Sequence, residues 1–371
     1  MNFKGALGNL LLALASLALF ALLCEFVVFR LVLAPTDMPS NAYIDGLLRY
    51  APGQEGVYRR RNAVEARYRI NAQGWNAPKD YVAARGDKPC RVALIGDSYV
   101  EAFQVDVGAS FAERIEELLG RERAEVYRFG VSGAPLSQYL AILEREAAAF
   151  GPDAVVVNLV HNDFVESYRP LAGRFTASFL TLGVRDGKVL GERPGEAYVP
   201  PPFGDWLRLS ATFRFFYYRW GVTPQGLIAA FRAQGADAPR HEANIDVAEL
   251  EREWPNIVAA TTYILRRIKA AGDARGVPVL LAIDGVRQAI YAGKEAGAIE
   301  ALRFNRMLRE IGGRLGIDVL DLHPVFEARW KAAGEPFDFG ADDGHWNRLG
   351  HAVAAEAIRE RLRLLPPPCG G

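Results

Sequence analysis

The 371-residue sequence has few of the residues that form metal centres or disulfide frameworks, with three cysteines and five histidines. The cysteines form no Cys-x-x-Cys motif, so a structural zinc site is not indicated. The sequence also lacks an excess of either charge, because 44 Lys and Arg balance 44 Asp and Glu. Nucleic-acid binding therefore has no electrostatic support. With 50% hydrophobic and 24% charged residues, the composition is that of a globular protein with a substantial core.

The longest apolar run lies at the N-terminus. Ser16 is the only polar residue between positions 10 and 24, and apolar residues resume after Glu25. About 20 apolar residues in a helix cross the roughly 30 Å core of a bilayer, so we predict a transmembrane anchor over residues 6–29. The absence of a small-residue cleavage site before Glu25 favours an uncleaved anchor over a secretory signal or an ordinary core helix.

The charges that flank this segment predict its orientation. Lys4 is the only charged residue before it, and the positive-inside rule keeps such a residue cytoplasmic. The rest of the chain is then extracytoplasmic, in a compartment where thiols tend to pair. Cys24 lies within the span, which leaves Cys90 and Cys369. A disulfide between them is one expectation, but the proline run before Cys369 equally fits a loose tail, so the pairing stays open.

Apolar runs alternate with helical patterns from Arg91 onward, after a poorly patterned lead-in over residues 35–88. This alternation predicts one α/β domain over residues 89–365, a three-layer α/β/α sandwich with a five-stranded parallel sheet. The predicted strands are 92–95, 125–129, 154–160, 277–283 and 318–322. The predicted helices are 111–119, 136–150, 247–271 and 298–315, with a last one from about residue 347.

The alternation stops between residues 164 and 245, which we interpret as an insertion within the domain. Its first part contains a predicted hairpin, Phe179 to Leu190, that turns at Asp186-Gly187. An aromatic-rich segment follows, Phe213 to Trp220. This segment is either a helix packed on the domain or a surface that lies on the membrane or binds substrate.

Polar residues follow the predicted strands at the point where each strand ends. Because ligands of parallel sheets bind outside the carboxyl ends of the strands, we expect these residues to converge on one rim. The groups are Gly96-Asp97-Ser98, Ser132-Gly133, His161-Asn162-Asp163 and, after a short intervening helix, Asp342-Asp343-Gly344-His345.

This set of residues suits acyl transfer through a serine nucleophile. A serine hydroxyl needs an imidazole to accept its proton, and the imidazole needs a carboxylate to fix its tautomer. We predict Ser98 as the nucleophile, His345 as the base and Asp342 as the acid, with Asp343 as a solvated loop carboxylate. Backbone N–H groups of Ser98 and Gly133 and the side chain of Asn162 are the expected oxyanion donors.

These motifs resemble those of the GDSL, or SGNH, hydrolase family, in the same order along the chain. The resemblance implies a flavodoxin-like five-stranded sheet, a serine nucleophile at Ser98, oxyanion donors at Ser98, Gly133 and Asn162, and the pair Asp342 and His345. It also implies esterase, thioesterase, lipase or carbohydrate O-acyl activity without a metal or cofactor. One departure is His161, which stands where the family commonly has glycine and puts the size of the substrate in doubt.

Three alternatives remain beside ester hydrolysis, for which the expected substrates are carbohydrate O-acyl esters or lipid-like esters. A metal site built from Asp342, His345, His161 and Asp163 leaves Ser98 and Gly133 unexplained. An O-acyltransferase that modifies an exported polysaccharide uses the same triad. In the third alternative the protein has the same fold but binds its ligand without catalysing a reaction.

Overall fold

The computed structural model of the protein describes residues 3–171, 173, 175–223, 226, 241–243, 245–247 and 249–370. Part of the predicted insertion therefore lies outside the described residues. The strands are β1 (Asn41–Ile44), β2 (Leu47–Tyr50), β3 (Glu55–Arg60), β4 (Val64–Arg69), β5 (Cys90–Gly96), β6 (Ala124–Gly130), β7 (Ala154–Leu159), β8 (Thr181–Arg185), β9 (Lys188–Arg193), β10 (His241–Glu242), β11 (Ile245–Asp246), β12 (Val279–Ile283) and β13 (Asp318–Asp321).

The helices occur mainly between the strands of the central sheet. They are α1 (Phe3–Leu23), α2 (Ser98–Glu101), α3 (Phe111–Leu119), α4 (Leu136–Arg145), α5 (Asp163–Glu166), α6 (Gly204–Leu209), α7 (Ala211–Phe213), α8 (Leu250–Asp273), α9 (Arg287–Tyr291), α10 (Leu302–Leu315), α11 (His323–Ala333) and α12 (Arg348–Leu362). π-Helical turns cover Cys24–Val32 and Arg214–Arg219, and short 3₁₀ turns cover Val107–Ala109, Ala147–Phe150, Thr176–Ser178 and Ala296–Ala298.

The central sheet confirms the predicted fold class. Its five strands lie in the order β13-β12-β7-β5-β6, and every neighbouring pair is parallel. The chain moves from β5 outward to β6 and then returns to β7 on the other side of β5. Such a change of direction creates a crevice at the carboxyl ends of β5 and β7, where parallel sheets bind their ligands.

Helices cover both faces of this sheet, because its strands are apolar on both sides. Helices α4, α8 and α10 pack on one face in a core that includes Ile264 and Leu308. Helices α3, α11 and α12 pack on the other face around Phe111 and Trp346. The side chain of Ser110 caps α3 by accepting a hydrogen bond from the N–H of Ala112.

The lead-in is more ordered than the sequence pattern predicts. It forms two antiparallel hairpins, β1–β2 and β3–β4. Tyr50 and Trp75 are buried in the same core as the sheet, and Arg49 forms a buried ion pair with Glu146 at 2.7 Å. The alternation of buried and exposed residues in β4 covers only six positions. Such a short run, with charged residues on its outer face, does not stand out from a loop in the sequence.

Two further predictions concern the insertion and the chain end. The hairpin β8–β9 forms with its turn at Asp186-Gly187, as predicted. Cys90 and Cys369 form a disulfide with their Cα atoms 4.8 Å apart, which decides the pairing that the sequence left open. The chain end is therefore joined covalently to β5 at the centre of the domain.

The N-terminal segment is a helix from Phe3 that continues through π-helical turns to Val32. Its apolar side chains are exposed, and residues Gly5–Val32 have a mean hydropathy of 2.6. By length and composition this helix is a candidate membrane anchor or signal sequence.

Candidate active site

Ser98 lies at the start of the short helix α2, directly after β5. The carboxylate of Asp97 accepts a hydrogen bond from the N–H of Tyr99 at 3.0 Å and so caps this helix. The turn leaves no space for side chains at the ends of β5 and β6. A Cβ on Gly96 would lie 2.4 Å from Val100, and one on Gly130 would lie 2.2 Å from the backbone nitrogen of Glu101. Glycine at both positions therefore lets α2 pack against the strand ends.

The imidazole of His345 connects Ser98 to a carboxylate. Its Nε2 lies 2.8 Å from Ser98 Oγ, and its Nδ1 lies 2.5 Å from Asp343 Oδ1. Because a carboxylate only accepts, Nδ1 carries the proton and Nε2 is free to accept the serine proton. Ser98 Oγ also lies 3.2 Å from Asp97 Oδ2. A hydroxyl has one proton, so it donates to one of these two acceptors at a time.

The carboxylate at His345 is that of Asp343, and this corrects the prediction of Asp342. The N–H of His345 donates to Asp343 Oδ1 at 2.9 Å, so a tight turn sets the Asp343 side chain against the imidazole two residues later. Asp343 has only 6% of its side chain exposed. Asp342 faces outward, is 41% exposed and pairs with Arg61 of the lead-in at 3.1 Å. Asp343, predicted as a solvated loop carboxylate, is therefore the one at His345, and Asp342, predicted as the acid, is the more exposed of the two.

The contact between His345 and Asp343 shifts the pKa of both groups. Burial disfavours the imidazolium, but the hydrogen bond and charge of Asp343 outweigh it and raise the pKa of His345 above 6.5. Burial likewise opposes ionisation of Asp343, but the contacts with His345 lower its pKa. The pair therefore favours a charged imidazolium, which is the form of His345 after it has accepted the serine proton.

The loop that follows β6 carries the predicted oxyanion donor Gly133, at a φ of 70°. Glu101 holds this loop, because its carboxylate accepts hydrogen bonds from the N–H of Ser132 at 2.9 Å and from its hydroxyl at 2.5 Å. Tyr50 of the lead-in also donates to Glu101. Burial raises the pKa of Glu101 to about 7, although these hydrogen bonds oppose the shift. Glu101 lies three residues after Ser98 and is a site residue that the strand-end pattern did not predict.

Asn162, the third predicted oxyanion donor, follows β7 at the same end of the sheet. Its side-chain amide donates one hydrogen bond to Glu166 at 3.0 Å. An amide nitrogen carries two protons, so one proton remains after this bond. The carboxylate of Glu166 therefore fixes the amide of Asn162 in one orientation at the rim.

His161 is buried and does not titrate freely at the site. Its Nε2 lies 2.9 Å from the side-chain oxygen of Asn305. The amide nitrogen of Asn305 donates to Asp321 and to the carbonyl of Asp284, which orients the amide and makes Nε2 of His161 the donor. Burial lowers the pKa of His161, so the ring is neutral. His161 is therefore a fixed neutral group beside the site.

Arg287, at the start of α9, was missed by the sequence analysis although it also follows a strand of the sheet. Its guanidinium donates to the carbonyl oxygen of Gly344 at 2.5 Å and to the hydroxyl of Tyr99 at 2.8 Å. It is held by the carboxylates of Asp284 and Asp338. Gly344 lies between Asp343 and His345, so Arg287 positions the loop that carries both side chains. Asp284-Gly285-Val286 after β12 is the signal that the strand-end rule could have used.

Two cavities lie next to this set of residues. One, of about 350 Å³, is lined on the β7 and β12 side by Tyr99, His161, Asn162, Asp284, Arg287 and Gly344. The other, of about 620 Å³, lies between the lead-in and the insertion and is lined by Asn41, Tyr50, Tyr58, Glu101, Phe103, Gln104, Ser132, Arg208 and Tyr217, among others. Among the described residues, no three His, Cys, Asp or Glu side chains are grouped to hold a metal ion.

Solved structures to which the chain is similar include several esterases. An acetyl xylan esterase is 13% identical, with 73% of this chain and 99% of that chain covered and a TM-score of 0.42. A catalytic mutant of an acetylxylan esterase from Geobacillus stearothermophilus is 13% identical over 75% and 95%, with a TM-score of 0.40. An alpha/beta hydrolase from the metagenome of Lake Arreo, Spain, is 13% identical over 74% and 95%, with a TM-score of 0.39. No curated protein sequence matches the chain.

The family comparison covers most of the domain. Residues 94–353 match the model of the GDSL-like lipase/acylhydrolase family, which is more than half of the chain. The match begins within β5, just before Ser98, and ends within α12, after His345. The protein is thus an ester-hydrolysing enzyme that belongs to the GDSL-like lipase/acylhydrolase family.

Proposed function

We propose that the protein hydrolyses O-acyl esters of a carbohydrate on the extracytoplasmic side of a membrane, with Ser98 as nucleophile, His345 as base and Asp343 as the acid. The observation that carries this proposal is the continuous chain of hydrogen bonds from Asp343 through His345 to Ser98. A nucleophile, a base and a group that orients the base form the minimal set for acyl transfer through a serine.

The first half of the reaction forms an acyl-enzyme. Ser98 Oγ attacks the ester carbonyl carbon while His345 Nε2 takes the hydroxyl proton, and Asp343 stabilises the imidazolium that results. The carbonyl oxygen becomes an oxyanion, which receives hydrogen bonds from the backbone N–H groups of Ser98 and Gly133 and from the amide of Asn162. Each such donor contributes about 3 to 4 kcal/mol in the transition state. The intermediate expels the alcohol, which leaves with the proton from His345.

The second half returns the enzyme to its starting state. His345, neutral again, takes a proton from water as the water oxygen attacks the acyl carbon. The intermediate releases the carboxylic acid and Ser98 regains its proton from His345. No step needs a metal or a cofactor, because the imidazole carries every proton.

The large cavity beside Ser132 supports a carbohydrate as the alcohol part of the ester. Its lining combines the aromatic rings of Tyr58, Phe103 and Tyr217 with the polar side chains of Asn41 and Gln104. Mostly apolar walls with a few placed polar groups are typical of sites for organic ligands. Aromatic faces pack against the C–H faces of sugar rings, and the polar groups suit their hydroxyls.

Three observations support the proposed side of the membrane. The helix Gly5–Val32 is long and apolar enough to cross a bilayer, and Lys4 before it favours a cytoplasmic N-terminus. The disulfide between Cys90 and Cys369 fits an oxidising compartment on the opposite side.

The test is labelling with a fluorophosphonate together with acetate release from acetylated oligosaccharides. We expect wild-type protein to be labelled and to release acetate without added glycan acceptor, whereas Ser98→Ala is not labelled and loses roughly 10³ to 10⁶ of kcat. Ser137→Ala is the matched control, since the Ser137 hydroxyl lies away from the site and donates a hydrogen bond to the carbonyl oxygen of Leu180. Near-normal turnover by Ser98→Ala would overturn the mechanism. Acetylation of an added glycan acceptor, without release of free acetate, would replace hydrolysis by transfer.

A further inference from the structure

The insertion exposes an unusual number of large apolar side chains. Phe203 is 80% exposed, Trp206 is 70% exposed and Leu209 is 69% exposed. Soluble surfaces rarely group such side chains, and a group of this kind marks a contact with a partner or a membrane. We name this group the apolar insertion surface; its members are Phe203, Trp206, Leu209, Phe216, Trp220 and Val222.

The apolar insertion surface is joined to the end of the N-terminal helix by hydrogen bonds. The carboxylate of Glu25 accepts from the backbone N–H groups of Ala211 at 2.6 Å and Thr212 at 3.0 Å. The hydroxyl of Ser210 donates to the same carboxylate at 2.9 Å. Arg30 donates to the carbonyl oxygen of Leu209 at 2.9 Å. Four hydrogen bonds therefore fix residues 209–212 at the level of Glu25.

Aromatic packing and a second arginine extend this junction. The ring of Phe29 packs against Phe215 and Phe216, with centroids 4.9 and 5.2 Å apart. Arg219 donates to the carbonyl oxygens of Leu33 and Ala34, where the helix ends. The helix and the insertion thus form one unit, and the position of the helix in a bilayer determines the position of the surface.

The length of the helix gives that position. The α-helical residues 5–23 span about 28 Å at 1.5 Å per residue, which is close to the roughly 30 Å thickness of the hydrocarbon core. About 20 residues counted from Gly5 cross the core, so Glu25 lies at its outer edge. The last turns of the helix, with Arg30, lie in the head-group layer. Trp206 and Leu209 belong to α6, whose last residue accepts the hydrogen bond from Arg30.

The geometry points to a second membrane contact: the apolar insertion surface lies in the interfacial layer of the bilayer beside the N-terminal helix. Tryptophan prefers this layer, because its ring is apolar and its N–H can still reach water. Burying exposed apolar area adds to the membrane affinity of the helix. The same segment supplies Leu207, Arg208 and Tyr217 to the wall of the cavity beside Ser132, so the substrate cavity lies next to the membrane surface.

The test measures the depth of Trp206 in the full chain, reconstituted into phosphatidylcholine vesicles whose acyl chains carry bromine near the head group. Bromine quenches tryptophan emission on contact. We expect wild-type emission to be quenched, and Trp206→Phe to lose about half of this quenching, because Trp206 and Trp220 are the tryptophans placed at the interface. Trp330→Phe is the matched control, since Trp330 packs on Tyr291 in the catalytic domain, and should lose none.

Two results would overturn the inference. Equal bromine quenching in wild-type and Trp206→Phe protein would show that Trp206 is not at the bilayer. Iodide dissolved in the water quenches only tryptophans that are in contact with water. If iodide quenches the wild type and this quenching is lost in Trp206→Phe, Trp206 lies in water. The inference rests on the proposed anchor, so a carbonate wash of the vesicles is run in parallel. Protein released by carbonate contradicts the anchor and the surface together, whereas retained protein with an aqueous Trp206 contradicts the surface alone.

Discussion

The α/β core and the segments added to it contribute different parts of the enzyme. The core, with β5 to β7, β12 and β13, presents Ser98, Gly133, Asn162 and His345 at one end of its sheet. The lead-in and the insertion contribute no group that touches Ser98 or His345 among the hydrogen bonds of the described residues. They instead form the walls of the large cavity and the junction with the N-terminal helix. In the proposed mechanism the core therefore supplies the reacting groups, and the added segments form the walls around the substrate.

The α/β core and the lead-in also share specific side-chain contacts, which couple one to the other. Tyr50 of the lead-in donates to Glu101, which holds the loop of Gly133. Arg61 of the lead-in pairs with Asp342 on the loop of His345. The lead-in thus contacts the loops that carry Gly133 and His345. Substitutions at these contacts measure how strongly the lead-in and the core are coupled.

The largest stability effect is expected within the core, at the disulfide. Cys369→Ser opens a covalent link of 279 residues, and loss of such a link typically costs roughly 2 to 5 kcal/mol of unfolding free energy. Chemical denaturation of the purified protein in detergent measures it. Cys24→Ser is the control, because Cys24 is free, and should leave the midpoint unchanged. If complete reduction of the wild type does not lower its midpoint, the disulfide does not stabilise the core.

The junction between the parts is tested by Glu101→Gln. The pKa of Glu101 is raised from 4.5 to about 7, so the folded state keeps a proton that the unfolded state has released. Wild-type stability should therefore fall as pH rises from about 4.5 to 7, by roughly 3 kcal/mol from this group. Glutamine does not titrate, so the variant should lose that part of the pH dependence.

The measurement is the unfolding free energy of both proteins between pH 5 and 8. Glu360→Gln is the control, because Glu360 is an exposed partner of Arg359 on α12, and its curve should run parallel to that of the wild type. A parallel curve for Glu101→Gln as well would contradict the raised pKa.

A smaller effect, on turnover, is expected from Arg287→Lys. Lysine keeps the positive charge but lacks the planar guanidinium. It cannot donate to the Gly344 carbonyl and the Tyr99 hydroxyl and at the same time pair with two carboxylates. The loop of His345 should shift slightly, and kcat should fall by roughly 10- to 100-fold, since a displacement of about 1 Å can cost that much. Arg309→Lys is the control, because Arg309 is half exposed and, among the described residues, forms its ion pair with Asp321. Unchanged kcat in Arg287→Lys would show that the loop holds its position without the guanidinium.

The core could be predicted from the sequence because its strands are short apolar runs that end in glycine or polar residues. The strand-end rule also located Ser98, Gly133, Asn162 and His345, since it needs only the direction of parallel strands. The same rule would have located Arg287 after β12. The strands of the lead-in were harder to predict than those of the core, because they are four to six residues long and charged on one face.

The acid could not be assigned from the sequence, because Asp342-Asp343-Gly344-His345 offers two carboxylates within reach of one imidazole. The choice depends on a turn in which His345 donates its backbone N–H to Asp343. It also depends on Arg61, which lies 281 residues away and draws Asp342 outward. Neither contact is visible in the spacing of the motif.

The central claim is that Asp343, and not Asp342, supports His345. It is tested most directly by the kcat/KM of Asp343→Asn and Asp342→Asn as a function of pH. Asparagine at 343 cannot stabilise the imidazolium, so we expect kcat to fall by roughly 10⁴. The pKa of His345, which Asp343 raises, should fall and move the acidic limb of the rate profile to lower pH. Asp342→Asn should retain activity within about twofold, because Asp342 is 41% exposed and its ion pair is with the half-exposed Arg61. If kcat instead falls by roughly 10⁴ in Asp342→Asn and stays near normal in Asp343→Asn, Asp343 is not the group that supports His345.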